Sequence, residues 1–139
     1  VSGGNQAQSA LPPDAVVIRG GKDMTITTLA SGFDNYCQKR REHGLSDEYA
    51  ISVNSLPGVT LQELAMVAKL PNSSVTPTTV GAVEEAGFEV IPTPTTNPSH
   101  CSVFLQGIHS AAPTLSQLVR LQGAFGQPIE NPAAASRNQ

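Results

Sequence analysis

The chain has 139 residues, a length that fits a single domain, and carries eight Lys and Arg against eleven Asp and Glu, for a formal net charge of −3. That balance excludes a broad cationic surface for DNA, RNA or anionic lipid, so any nucleic-acid contact has to be local. Hydrophobic residues make up 39% and aromatic residues 4%, with no Trp, which makes the expected core aliphatic and modest in size. No apolar run approaches the about 20 residues of a membrane span. Val1 to Leu11 has neither the charged start nor the apolar stretch of a signal peptide, so a cytoplasmic location without membrane contact is expected.

Residues 1–13, rich in Gly, Gln and Ser, have little to bury and are expected to form a flexible arm, and residues 127–139 a flexible tail. Residues 14–126 are then one domain. Ala15 to Ile18 is a short apolar run closed by Arg19-Gly20-Gly21, the pattern of a buried strand meeting a turn. Ile26, Leu29, Ala30, Phe33 and Cys37 share one helical face and predict an amphipathic helix of about 18 residues ended by Gly44. Tyr49, Ile51 and Val53 alternate with Ala50, Ser52 and Asn54, which predicts a second strand stopped at Pro57-Gly58.

Thr60-x-x-Glu63 is a capping box, so a helix is expected from Leu61 to just before Pro71. Thr76-Pro77 reads as an N-cap ahead of a proline at the first helical position, predicting another helix that stops at Gly87. Phe88 to Ile91 and His100 to Leu105 are strands around a Pro/Thr-rich loop, with Cys101, Val103 and Leu105 on one face. Thr114 caps a last helix carrying Leu115, Leu118 and Val119. The expected class is therefore α+β: a strand, helix, strand unit, two helices, a long-looped β-hairpin and a closing helix.

Few residues point to chemistry. Cys37 and Cys101 lie far apart with no CxxC or Cys/His ligand spacing, so both are expected as reduced core thiols, and neither a metal site nor a cofactor is indicated. GxxxxGK[ST], HExxH and GxSxG are absent, which leaves P-loop, zincin and hydrolase-elbow chemistry without support. Lys39, Arg40 and Arg41, with His43, form the one basic cluster. Its place at the end of the first helix suits the negative end of the helix dipole, and it also offers a patch for phosphate or an acidic partner. His109, without an acidic neighbour in sequence, is expected in solvent.

Four resemblances can be drawn from particular residues. The order of elements from Leu61 to Leu105 resembles a winged helix or a double-stranded-RNA-binding (dsRBD-like) fold, although Thr78, Thr79, Glu84 and Glu85 stand where a DNA-reading helix carries cations. From Thr79 to Gly123, Ala86-Gly87-Phe88, then Ser99-His100-x-x-Val103-Phe104, then Thr114-Leu115 is similar to HicA-type mRNA-cleaving toxins. That similarity implies a catalytic His100, able to move a proton on a ribose hydroxyl near neutral pH. Pro98 stands where that family has Gly. Arg19-Gly20-Gly21 together with Ser52 resembles ADP-ribosyltransferases, in which a strand-end Arg and a strand Ser hold the dinucleotide, and Glu89 would be the strand Glu. The core as a whole, with Ile18 to Gly21, Tyr49 to Val53 and Asn97 to Val103, is similar to small bacterial proteins of unknown function.

The acidic balance and the lack of a convergent catalytic set make a non-enzymatic interaction module the expected function, a subunit in a multicomponent system of toxin–antitoxin or phage-defence type with a protein partner. A small RNA endonuclease using His100 is the alternative, with Arg19, Lys39, Arg40 and Arg41 as candidate binding residues.

Overall fold

The computed structural model describes residues 11–137. The arm expected over residues 1–13 therefore lies, up to residue 10, outside the described residues. Six strands form one antiparallel sheet: β1 (Val16–Gly20), β2 (Ile51–Ser55), β3 (Ser74–Thr79), β4 (Phe88–Pro92), β5 (His100–Leu105) and β6 (Ile129–Glu130), in the order β4-β5-β2-β1-β3-β6. The helices are α1 (Ile26–Glu42), α2 (Leu61–Ala68), α3 (Val80–Glu85), α4 (Leu115–Ala124) and α5 (Pro132–Arg137). The fold is α+β, as the alternation of strand-period and helix-period segments predicts.

Neighbouring residues of each strand serve opposite faces of the sheet. Val17, Ile51, Val53, Cys101 and Val103 pack with Leu29 and Phe33 of α1, Val80 and Val83 of α3, and Leu118 and Leu121 of α4 in the larger core. Ile18 and Val75 face the other way, onto Leu64, Ala65 and Ala68 of α2. Each helix end follows local chemistry. Thr60 and Glu63 close the capping box of α2 at 3.1 and 2.8 Å, and Thr114 with Gln117 closes a second one on α4. Gly44 reverses the chain after α1 at φ 70°, a left-handed conformation that costs glycine little. On α4 the buried residues are Leu118 and Leu121, while Leu115 and Val119 face solvent.

Two expectations are corrected. Thr76-Pro77 does not open a helix: residues 74–79 form β3, paired with β1 from Val16–Thr79 to Gly20–Val75, and the helix starts at Val80 with the Thr79 hydroxyl accepting from the Ala82 N–H at 3.2 Å. β-branched Val75, Thr76 and Thr78 favour the strand, and all three are buried. Pro77 is tolerated because its missing N–H lies on the same side as its carbonyl, which accepts from Gly126 on the outer edge, beyond the two residues that β6 covers. With β3 between α2 and α3, the helix-turn-helix order of a winged helix is not formed.

The tail is the second correction, for residues 129–137 form β6 and α5. Asn131, fully buried, donates through Nδ2 to the Leu70 and Asn72 carbonyls at 3.1 and 2.9 Å and accepts from the Ala133 N–H through Oδ1 at 3.0 Å. Pro132 and Ala133 are the start of a capped helix packed against α2.

Cys37 and Cys101 are buried and unlinked, matching the expectation of core thiols. Burial pushes the Cys101 thiol up to about 11, with a hydrogen-bond interaction with the Ser55 backbone opposing it. Its folded value lies above the unfolded one, so its contribution to stability is complete below the ordinary thiol range and is lost as pH rises towards 11. Cys101 should thus react with an aromatic disulfide reagent at pH 8 only at the rate of unfolding, at least about a hundredfold slower than in denaturant. Prompt reaction in the native state would contradict this burial.

Candidate functional site: a basic cleft at a fork in the sheet

β1 pairs with β3 along its whole length and β2 pairs with β5 from Ile51 to Asn54, but β1 and β2 join only at Val17–Ser55 and Ile18–Asn54. Beyond these pairs the two central strands part. α1 packs at the opening, and Gly32 permits it: a Cβ there would stand 2.9 Å from Ile51 Cγ2 and 3.2 Å from an Arg19 guanidinium nitrogen. Glycine inside a helix costs about 1 kcal/mol relative to alanine, and here close approach to the fork is the compensation.

The opening is a cleft of about 430 Å³, within the range of small-ligand sites. Arg19, Lys39, Arg40, His43 and His100 line it, so four of the five residues singled out in the sequence converge on one place. Tyr36, Leu45 and Ile51 add an apolar wall, and Ser52 and Asn35 add neutral polar groups. No carboxylate lines the cleft.

Arg19 dominates its electrostatics. Its Nε is buried without a hydrogen-bond partner, and the guanidinium makes no ion pair among the described residues. Burial lowers its pKa and nearby Asp23 opposes that, but an arginine remains charged at any physiological pH. A charged group that is partly desolvated and incompletely bonded is costly unless something anionic completes it.

The cations at the end of α1 divide. Arg41 leaves the candidate set: Nε and Nη2 donate to both carboxylate oxygens of Asp47 at 2.9 and 2.8 Å, holding the Asp47 carboxyl below its usual range, and Arg41 does not line the cleft. Arg40 lines it but is held by the Ser46 carbonyl at 2.7 Å and by Glu48 at 3.5 Å. Lys39, exposed on the next face of the helix, makes no ion pair among the described residues.

His100 is oriented from both sides. Its Nδ1 lies 3.0 Å from the Thr93 carbonyl oxygen, which can only accept, so Nδ1 carries the proton in the neutral ring. Nε2 is then the acceptor, and it receives the Ser52 hydroxyl at 3.2 Å. Thr93 Oγ1, also 3.0 Å from Nδ1, is tied to Ser102 Oγ at 2.8 Å. The loop before His100 is fixed in turn: Asn97 donates to Asn54 Oδ1 and to the Ala68 carbonyl, and buried Ser99 donates to Asn54 at 2.9 Å. A Pro/Thr-rich stretch that looks irregular in sequence is therefore a rigid support.

His109 and Glu89 are elsewhere. Contrary to the expectation of a solvated ring, His109 stacks on Phe104 at 4.0 Å and bonds Glu89 at 2.8 Å. The hairpin sets Glu89 opposite Phe104, and the turn at Gly107 brings His109 back over that pair, a contact across 20 residues that local spacing does not reveal. Glu89 does not line the cleft. Sequence reasoning missed Tyr36 and Thr93, for which an exposed-face helical position and a loop threonine give no signal.

Among the described residues no three His, Cys, Asp or Glu cluster closely enough to hold a metal ion, and no helix is long and apolar enough to cross a membrane. Comparison with known proteins returns no matching family model, no matching curated protein and no matching solved structure.

Proposed function

We propose that the cleft binds a phosphate-bearing ligand and that His100 moves a proton on it. The observation that carries this reading is the Arg19 guanidinium, buried at Nε without a partner in a cleft that Lys39 and His43 also line and no carboxylate enters. A phosphate group offers the acceptor oxygens that such a site lacks. The apolar wall of Tyr36, Leu45 and Ile51 suits a flat organic moiety attached to that phosphate, so a nucleotide or a short stretch of RNA is the favoured class. The net charge of −3 agrees with recognition of one or two phosphates in place of a long backbone.

Nucleoside diphosphates or a short oligoribonucleotide are expected to bind and raise the melting temperature, with Arg19→Gln weakening affinity at least about tenfold while leaving a folded protein. Absence of binding by calorimetry at millimolar ligand, or equal affinity of the variant, would remove the reading.

A second reading, a subunit that docks on another protein of a multicomponent system, is favoured by Leu115 and Val119, which lie one turn apart on α4 at 68% and 50% exposure. Leu115→Glu with Val119→Glu should then dissolve the complex recovered by tagged purification from the native host. An intact complex would count against this face.

A further inference from the structure

The geometry points to Ser52 as a nucleophile activated by His100, which takes a phosphoryl group from the ligand of this cleft. The inference rests on the reading of the cleft as a phosphate site, and deepens it. Three features of the same corner carry it. Ser52 Oγ lies 3.2 Å from Nε2, within the distance expected of a nucleophile and its base. The backbone carbonyl of Thr93 holds the opposite nitrogen at 3.0 Å, fixing the tautomer that leaves Nε2 free to accept. Ser52 is the exposed residue of an otherwise buried strand, and it opens onto a cleft where Arg19 and Lys39 supply positive charge for the oxygens of a phosphoryl group in flight.

A serine on this strand has no structural need of the hydroxyl. Ile51, Val53, Asn54 and Ser55 are buried, and Ser55 spends its hydroxyl on the Val16 carbonyl at 2.8 Å, whereas Ser52 makes its one side-chain hydrogen bond to the histidine. The histidine in turn is braced by a loop whose polar groups, Asn97 and Ser99, are bonded to β2 and α2. Such bracing holds a base in place for repeated proton transfer.

In the step itself the Ser52 Oγ–P bond forms as the bond from phosphorus to the leaving oxygen breaks. The hydroxyl proton passes to Nε2, and the imidazolium returns it to the leaving oxygen, so that the products are phosphorylated Ser52 and the free alcohol or phosphate. Charge on the ring is stabilised by the Thr93 carbonyl at Nδ1–H. Nothing is oxidised or reduced. Water can repeat the sequence with His100 as base, returning Ser52 and inorganic phosphate.

The test uses the full chain and diisopropyl fluorophosphate, read by intact mass and peptide mapping. One diisopropylphosphoryl group is expected on Ser52 with loss of fluoride. His100→Gln should slow the labelling at least about a hundredfold. Ser52→Ala, which removes only an exposed hydroxyl, should leave the melt unchanged and abolish the mass gain, and so tests the proposal even where a variant at position 100 fails to fold. Labelling of Ser52 without nucleotide binding would retain the nucleophile and remove only the ligand class. Labelling at other serines, or a rate on Ser52 that His100→Gln leaves unchanged in a protein of unaltered melt, overturns the proposal, whether or not nucleotides bind.

Discussion

Phe33→Ala is expected to cost about 3–5 kcal/mol of stability. Phe33 is 1% exposed at the middle of α1, and its ring stands 6.0 Å from that of Phe88, also fully buried, at an interplanar angle of 42°. With four Phe, two Tyr and no Trp, the chain has few large side chains to fill a core built otherwise of Val, Leu, Ile and Ala. The surroundings cannot collapse into the gap, because Gly32 already brings α1 against Ile51 and leaves no slack on that side. A domain of this size has about 5–15 kcal/mol in total, so the variant should melt about 10 °C lower or more. Urea unfolding with an unchanged m-value measures it; a loss under about 1 kcal/mol would mean that the helix does not sit as described. Since α1 also carries Lys39, with His43 at its C-cap, ligand affinity should fall along with stability.

Asn131→Ala is the second large effect, expected at about 2–3 kcal/mol. The side chain is fully buried, and each of its polar hydrogens and its oxygen has a protein partner: the Leu70 and Asn72 carbonyls and the Ala133 N–H. Its backbone N–H adds a bond to the Ser73 carbonyl at 2.9 Å. Alanine removes three of these at once and leaves the segment held by the two exposed residues of β6, Ile129 and Glu130, by the backbone bond to Ser73 and by the packing of α5 on α2. The consequence is regional. Hydrogen exchange should quicken over residues 129–137 and at Ser74 and Val75, whose edge β6 covers, while α1 and the cleft keep their protection. Equal protection of the tail in variant and parent would show that other contacts hold it.

The cleft illustrates why a site can be named in part and not located. Arg19, Lys39, Arg40 and His100 each stand out in sequence, as a strand-end arginine, a basic run and a strand-leading histidine, but nothing in their spacing says that they meet. They come from β1, α1 and β5. Arg41, next to Arg40, turns to Asp47, since a helix presents adjacent residues about 100° apart. Thr93 enters only because Pro92 and Cys101 are partners across the hairpin, which brings the loop carbonyl over the ring of His100.

Local physics was legible along the chain: the apolar stripe of α1 and its Gly44 stop, the capping boxes at Thr60 and Thr114, the alternation of β2, and thus an α+β fold with two buried thiols. These depend on periodicity and on side chains that bond within three or four residues. Long-range contacts make Thr76-Pro77 a strand, because pairing with β1 outweighs a local capping signal, and they bind the tail, because Asn131 finds carbonyls about 60 residues away. The same holds for the parting of β1 and β2 that leaves a basic cleft. That opening depends on where two strands stop pairing, a property of the whole sheet that no single segment of the chain encodes.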